Sequence, residues 1–276
     1  MKLNPKNSFL IGYVVVMLIF WMGMYSSSIR EMEINKFWGI GINCIPLFGG
    51  LFGLYTSKKW GGFKSIIGKS LIFLSIGLLS WSLGNWVWSY YNFFLNSDVP
   101  YPSLADIGYI FAVPMWLVGV LYLSKAIGVK YALRSKVGKF YLIFLPLVSI
   151  ITSYYLLVFV ARAGSLTSNT DFLKMFFDLA YPIGDILIIT IAIIVYVLSF
   201  KYLGGRFKAP SLFILLGFIL MFFSDFSFSY TTTLGTYYDG HANNLLFVFA
   251  LFFMGFGITA FDFEEQASDF LNYNQN

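Results

Sequence analysis

The sequence predicts an all-α integral membrane protein, an eight-transmembrane-helix bundle built from four helical hairpins. Three observations predict it. Only 11% of the 276 residues are charged, whereas 58% are hydrophobic and 21% aromatic; a soluble domain carries about a quarter charged residues. Several apolar runs are each long enough to cross a hydrocarbon core of roughly 30 Å as a helix. These runs are uniformly apolar rather than alternating, which excludes a transmembrane barrel and leaves helices as the way to close every backbone hydrogen bond. The same composition excludes a soluble globular domain, a disordered chain and a nucleic-acid-binding domain. The net charge of +5 is therefore read as topology.

The expected spans run Ser8–Tyr25, Phe37–Tyr55, Ile66–Tyr91, Ile107–Leu123, Phe140–Val160, Tyr181–Phe200, Ser211–Tyr230 and Leu245–Phe261. The first follows Lys2 and Lys6 as a signal peptide does. It lacks a small-residue cleavage site, so it is expected to be a retained anchor. Lys and Arg divide 14 to 4 between alternate loops, the minority being Arg30, Lys36, Arg162 and Lys174. Basic residues collect on the cytoplasmic side, so both termini are expected there in a cell-membrane, multi-pass protein. Residues 1–262 form the expected transmembrane domain, and residues 263–276 a short acidic and polar cytoplasmic tail. The single cysteine, Cys44, has no partner for an intrachain disulfide.

Two hairpins match in detail. The third span reads Gly77-LLSWSLG-Asn85-WVW-Ser89-Tyr90, and the seventh Gly217-FILMFFS-Asp225-FSF-Ser229-Tyr230. Glycine, Asn/Asp, serine and tyrosine recur at the same offsets, and the return helices align Asp106 with Asn244 and Gly119 with Gly257. Both copies run in the same direction, so a parallel internal repeat is expected.

Polar residues at membrane depth need a reason, because a central carboxylate costs about 2.5–3.5 kcal/mol on insertion scales. Asn85 and Asp225 fall in the outer third of their helices. Asp106 and Asp185 are expected at the starts of returning helices, each shortly after a proline, where a carboxylate caps free N–H groups. Asp225 lies mid-helix and cannot cap. Asp178 and Tyr181 lie just above this level. Groups converging on one depth mark a candidate cavity, and adjacent carboxyls there repel unless a proton, a hydrogen bond or a cation intervenes. Trp81, Asn85 and Trp88 share one helical face suited to stacking on a planar or cationic ligand. With Tyr230, which ends the second repeat, the candidate ligand-binding set is Asn85, Trp88, Asp106, Asp178, Tyr181, Asp185, Asp225 and Tyr230. The one histidine, His241, has no second nitrogen or thiol ligand nearby, and no HExxH, GxSxG, P-loop or cysteine cluster occurs. No metal, cofactor or catalytic residue is therefore assigned.

Five segments occur in a telling order: WSLGNWVWSYYN, PYPSLADIGYIFAVPMWLVGVLYL, FDLAYPIGDILII, GFILMFFSDFSFSY and GTYYDG. Over Ile66 to Phe261 the chain resembles a multi-pass membrane sensory module found N-terminal to bacterial diguanylate cyclases and related signalling proteins. The resemblance places Asn85, Asp106, Asp178, Tyr181, Asp185 and Asp225 on that family's recurring polar positions. It implies a non-enzymatic sensory or ligand-binding module with a polar and aromatic pocket open to the outer side. No output domain follows in these residues, so it also implies a separate signalling partner. The expected partners are the lipid bilayer, a small-molecule or lipid ligand and that signalling protein, with no nucleic acid. A weaker resemblance is to lysoplasmalogenase-like membrane lipid hydrolases, through Phe223-Ser224-Asp225. There Gly84-Asn85 stands where that family has Gly-Asp, which removes one of two water-activating carboxylates. A small transporter is the third alternative.

Overall fold

A computed structural model of the chain describes residues 4–26, 33–97, 99–129, 134–164, 171–199 and 207–262. The expected tail at 263–276 lies outside them, as do Lys2, Arg30, Lys130, Lys201 and Arg206 from the charge count. The described residues form helices α1 (Pro5–Ser26), α2 (Glu33–Lys59), α3 (Ile66–Ser89), α4 (Leu104–Ala126), α5 (Lys136–Tyr154), α6 (Phe172–Ser199), α7 (Lys208–Thr233) and α8 (Asn243–Thr259). Wide π-type turns extend α3 through Tyr90–Phe94 and α5 through Tyr155–Val160. Serines start several helices. Ser65 accepts from the Gly68 N–H at 2.8 Å and Ser135 from Gly138 at 2.9 Å, while Ser103 forms a capping box with Asp106.

Helices α1 to α7 are each long and apolar enough to span a bilayer, which makes this a multi-pass membrane protein. Helix α8 is apolar but has 17 residues, about 26 Å at 1.5 Å per residue. Exposed Val16, Ile19, Ile143, Leu147 and Ile151 give α1 and α5 apolar outer faces suited to lipid.

The helices close into a ring. Contacts run α2 to α3, α3 to α4, α4 to α6, α6 to α7, α7 to α8, and α8 back to α2. Helix α1 lies outside on α2 and α8, and α5 outside on α6. The closest pairings are the hairpins α3–α4 and α7–α8, and glycines allow them. A Cβ on Gly77 would sit 2.3 Å from the Trp116 ring, and one on Gly217 2.8 Å from the Ala250 carbonyl. Without a hydrophobic drive between helices in lipid, such close backbone packing carries much of the association. Trp116, Phe218, Leu74 and Ile214 fill the centre, each 0–1% exposed.

Both described ends of the chain meet at one end of the bundle. Asn4 Nδ2 donates to the Thr259 carbonyl at 2.8 Å, and Trp60 Nε1 to that of Phe261 at 2.9 Å. The Asp262 side chain, 1% exposed, binds Lys6 and, at 2.7 Å, Lys59. Burial alone would raise the Asp262 carboxyl, but bonds from Lys59 and Lys6 outweigh it and hold the group below the usual carboxylate range. A depressed folded pKa contributes stability that is complete above the unfolded value of about 4 and is lost as pH falls through the folded one. Asp262→Asn is therefore expected to lower stability by about 1 kcal/mol at pH 7, a modest loss because Lys59 is partly exposed. Thermal unfolding in detergent, repeated down to acid pH, checks that the variant and parent converge there.

Candidate functional site

The opposite end of the ring encloses a cavity of ≈ 640 Å³. Helices α2, α3, α4, α6, α7 and α8 wall it, the π-turn of α5 adds Leu157, and the loops before α4 and α8 reach its rim. Of the eight candidate residues, Asn85, Trp88, Asp106, Asp178, Tyr181, Asp185 and Asp225 line it. Tyr230 does not. It is 40% exposed and stacks on Phe226 with ring centroids 6.2 Å apart. The helical period explains this. Asp225, Phe228, Ser229, Thr232 and Thr233 form the inward stripe of α7, and a residue five after Asp225 is turned about 140° from it.

Asp106 is the most fixed of the carboxyls. Its Oδ2 accepts from the Ser103 backbone N–H at 2.6 Å, and its Oδ1 from the Tyr181 hydroxyl at 2.5 Å. The cap thus ties α4 to α6 across the cavity wall. Asn85 Oδ1 accepts from the Tyr109 hydroxyl at 3.0 Å, and its carbonyl from Asn43 Nδ2 at 3.1 Å. Trp81, 8% exposed, packs on Tyr109 at 4.6 Å and Trp116 at 5.5 Å, making an aromatic floor.

Asp185 departs from its expected place. It does not open a helix, because α6 begins at Phe172 and Pro182 lies inside it. An internal proline leaves the carbonyl four residues earlier without its N–H, here that of Asp178. Arg162 Nη1 donates to that carbonyl at 2.7 Å, so the break is repaired from the turn after α5 and the helix continues. Asp185 consequently sits mid-helix and cannot cap. Its carboxyl meets that of Asp225 on α7 within hydrogen-bond reach, and neither has another protein donor among the described residues. Both are half-buried and line the cavity. A second, water-sized void of ≈ 10 Å³ lies against the pair and Trp116.

The rim is also charged. Asp178 Oδ1 accepts from Tyr101 at 2.9 Å. Asp239 accepts from Asn92 Nδ2 at 2.5 Å and from Tyr237 at 3.4 Å. Burial pushes the Asp239 carboxyl above the usual range, while donors Trp88, Tyr237 and Asn92 and the nearby Lys36 pull it back. Sequence reasoning did not single out Arg162, Lys36, Asn43 or Tyr109, which all line the cavity. Arg162 and Lys36 did carry a signal, since both are among the few basic residues in loops otherwise poor in them. Among the described residues no group of three or more His, Cys, Asp or Glu side chains is placed to hold a metal ion.

The arrangement offers acceptors and aromatic faces to a small molecule, with one carboxyl pair at its floor. No protein-family model, curated protein or solved structure matches the chain.

Proposed function

We propose that this protein is a membrane-embedded sensory or ligand-binding module that takes a small ligand into an outward-facing cavity and acts through a separate signalling protein. One observation carries the reading. A cavity of ≈ 640 Å³ has the size of ordinary small-molecule sites, apolar walls with a few convergent polar groups. The resemblance to sensory modules that precede diguanylate cyclases agrees with it. The orientation follows the charges: Lys58, Lys59, Lys64, Lys69, Lys125, Lys136 and Lys139 lie at the end where the described chain ends meet, opposite the cavity. The cavity then faces outward and both termini face the cytoplasm. Helix α8 makes the eighth crossing under this reading, the return leg of the α7–α8 hairpin.

The parallel repeat belongs to the same proposal. One offset for the outgoing helix and another for the return helix map the contact of Gly77 with Trp116 onto that of Gly217 with Met254, and the contact of Gly119 with Leu74 onto that of Gly257 with Ile214. Likewise α4 packs on α6 as α8 packs on α2. Asn85 and Asp225 are then equivalent positions of two half-sites facing one cavity.

The facing carboxyls of Asp185 and Asp225 favour a second reading, a lipid hydrolase in which two carboxyls activate water. Ser224 takes no part in it, being fully buried with its hydroxyl donating to the Leu220 carbonyl at 2.7 Å. Asp225→Asn separates the two. Under the binding reading the variant folds, gains about 1 kcal/mol because a costly carboxyl is gone, and loses its ligand response. Under the hydrolase reading the parent turns over a lysolipid and the variant does not. Lysolipid hydrolysis by the parent protein in nanodiscs would replace the binding reading.

A further inference from the structure

We propose that the cavity takes an organic ammonium ion, with its nitrogen seated on the Asp185–Asp225 carboxyl pair and its carbon groups against Trp81, Tyr109 and Phe228. The inference rests on the ligand-binding reading and adds the chemical class of the ligand.

Charge comes first. Five carboxyls line the cavity, those of Asp106, Asp178, Asp185, Asp225 and Asp239, against the two cations Lys36 and Arg162. Both cations are engaged at the rim. Lys36 binds Glu33 at 2.9 Å and also Asn96, and Arg162 binds the Asp178 carbonyl and Ser229. Arg162 acts on Asp185 through space, but among the described residues neither cation forms an ion pair with Asp185 or Asp225. An anionic ligand would meet this excess of carboxyls, and a neutral one would leave the floor pair with only the through-space attraction of Arg162 at membrane depth.

Hydrogen bonding points the same way, independently. Asp106, Asp178, Asp239 and Asn85 all have protein donors. Among the described residues Asp185 and Asp225 have hydrogen-bond contact only with each other. On the same cavity, Asn244 Oδ1 is buried without a donor while its Nδ2 donates to Tyr237 at 3.2 Å. A buried acceptor is normally satisfied, so the Asn244 oxygen, with the half-buried carboxyl pair on the same cavity, calls for a ligand that brings N–H groups or positive charge.

The walls complete the case. Trp81 and Tyr109 stack tilted at 4.6 Å, and Phe228 and Tyr237 meet edge-on at 4.8 Å. Aromatic faces around a carboxylate are the established chemistry for holding an ammonium group. A bare metal ion fits less well, because only two carboxyls meet and no third ligand is placed with them.

The test uses the full chain in lipid nanodiscs and follows tryptophan fluorescence and calorimetric titration. The probes are choline, butylammonium, 3,3-dimethylbutan-1-ol (the neutral isostere of choline), butyrate, Na⁺ and Mg²⁺. At least one ammonium probe is expected to bind about tenfold or more tightly than the alcohol and butyrate. Asp185→Asn and Asp225→Asn should each weaken it by about tenfold or more, Asp225→Glu should retain it, and Asp262→Asn at the far end should leave it unchanged. Equal binding of choline and its alcohol, preferred binding of butyrate or Mg²⁺, or ammonium binding unaffected by both Asn variants overturns the ammonium class and leaves the ligand-binding reading standing. Failure of every probe to bind overturns the ammonium class, and failure of a thiol reagent to reach Ser229→Cys in the cavity wall overturns the ligand-binding reading with it.

Discussion

Gly108→Val is expected to separate α3 from α4 and to cost roughly 3 kcal/mol or more. A Cβ at Gly108 would lie 2.6 Å from the Gly84 nitrogen and 2.8 Å from the Ser80 carbonyl. These are backbone atoms of the facing helix, so no side chain can rotate away and the helices themselves must part. The bond from Ser80 Oγ to the Gly108 carbonyl, 2.7 Å, goes with them. Trp81, Asn85 and Tyr109 flank the contact, so the cavity floor loses its shape too. Gly12 is the control. A Cβ there has nothing within 4 Å, and Gly12→Val should change stability by no more than about 0.5 kcal/mol. Thermal unfolding of the two variants in one detergent, read by loss of the monodisperse peak, checks the difference.

Asp106→Ala should rank next, at about 3 kcal/mol. It removes half of a capping box, worth about 1 kcal/mol. It also strips the charged acceptor from the Tyr181 hydroxyl, a half-buried group on the cavity wall, and losing a bond to a charged partner costs about 1.5–3 kcal/mol. The Asp106 side chain is 7% exposed, so water does not readily replace it. The effect should extend to α6, because Tyr181 is where that helix is tied to α4. Asp106→Asn restores an acceptor for Tyr181 and should recover more than half the loss. Equal losses in the two variants would show that the bond to Tyr181 contributes nothing.

The helical membrane bundle was legible because it rests on long-range composition. Runs of apolar residues bounded by lysines need no knowledge of packing. The start of α6 was not legible. Pro182 reads as a helix start, and only Arg162, twenty residues earlier and in another element, supplies the donor that lets the helix pass through it. Asp185 follows Pro182 by three residues, which marks a cap in sequence, yet for the same reason it stands mid-helix. Asp106 was placed at its cap because Ser103 and Asp106 carry a local signature. Tyr230 shows the opposite failure. The repeat pattern singled it out, but a repeat records ancestry and not which way a side chain turns. Arg162 and Lys36 were counted as topology signals. Their position on the cavity rim depends on how the first turn of α2 and the turn after α5 pack against the ring, which no local pattern encodes.

The central claim is that a cavity at this level opens to the outside and admits a small molecule. Cysteine accessibility tests it most directly. Cys44 is the chain's single cysteine, so Cys44→Ala followed by Ser229→Cys leaves one thiol, on the cavity wall. A charged, membrane-impermeant thiol reagent added outside intact cells should modify that cysteine, and a bound ammonium compound should slow the reaction about tenfold. Modification only after the cytoplasmic face is exposed, or none from either side, would contradict the account.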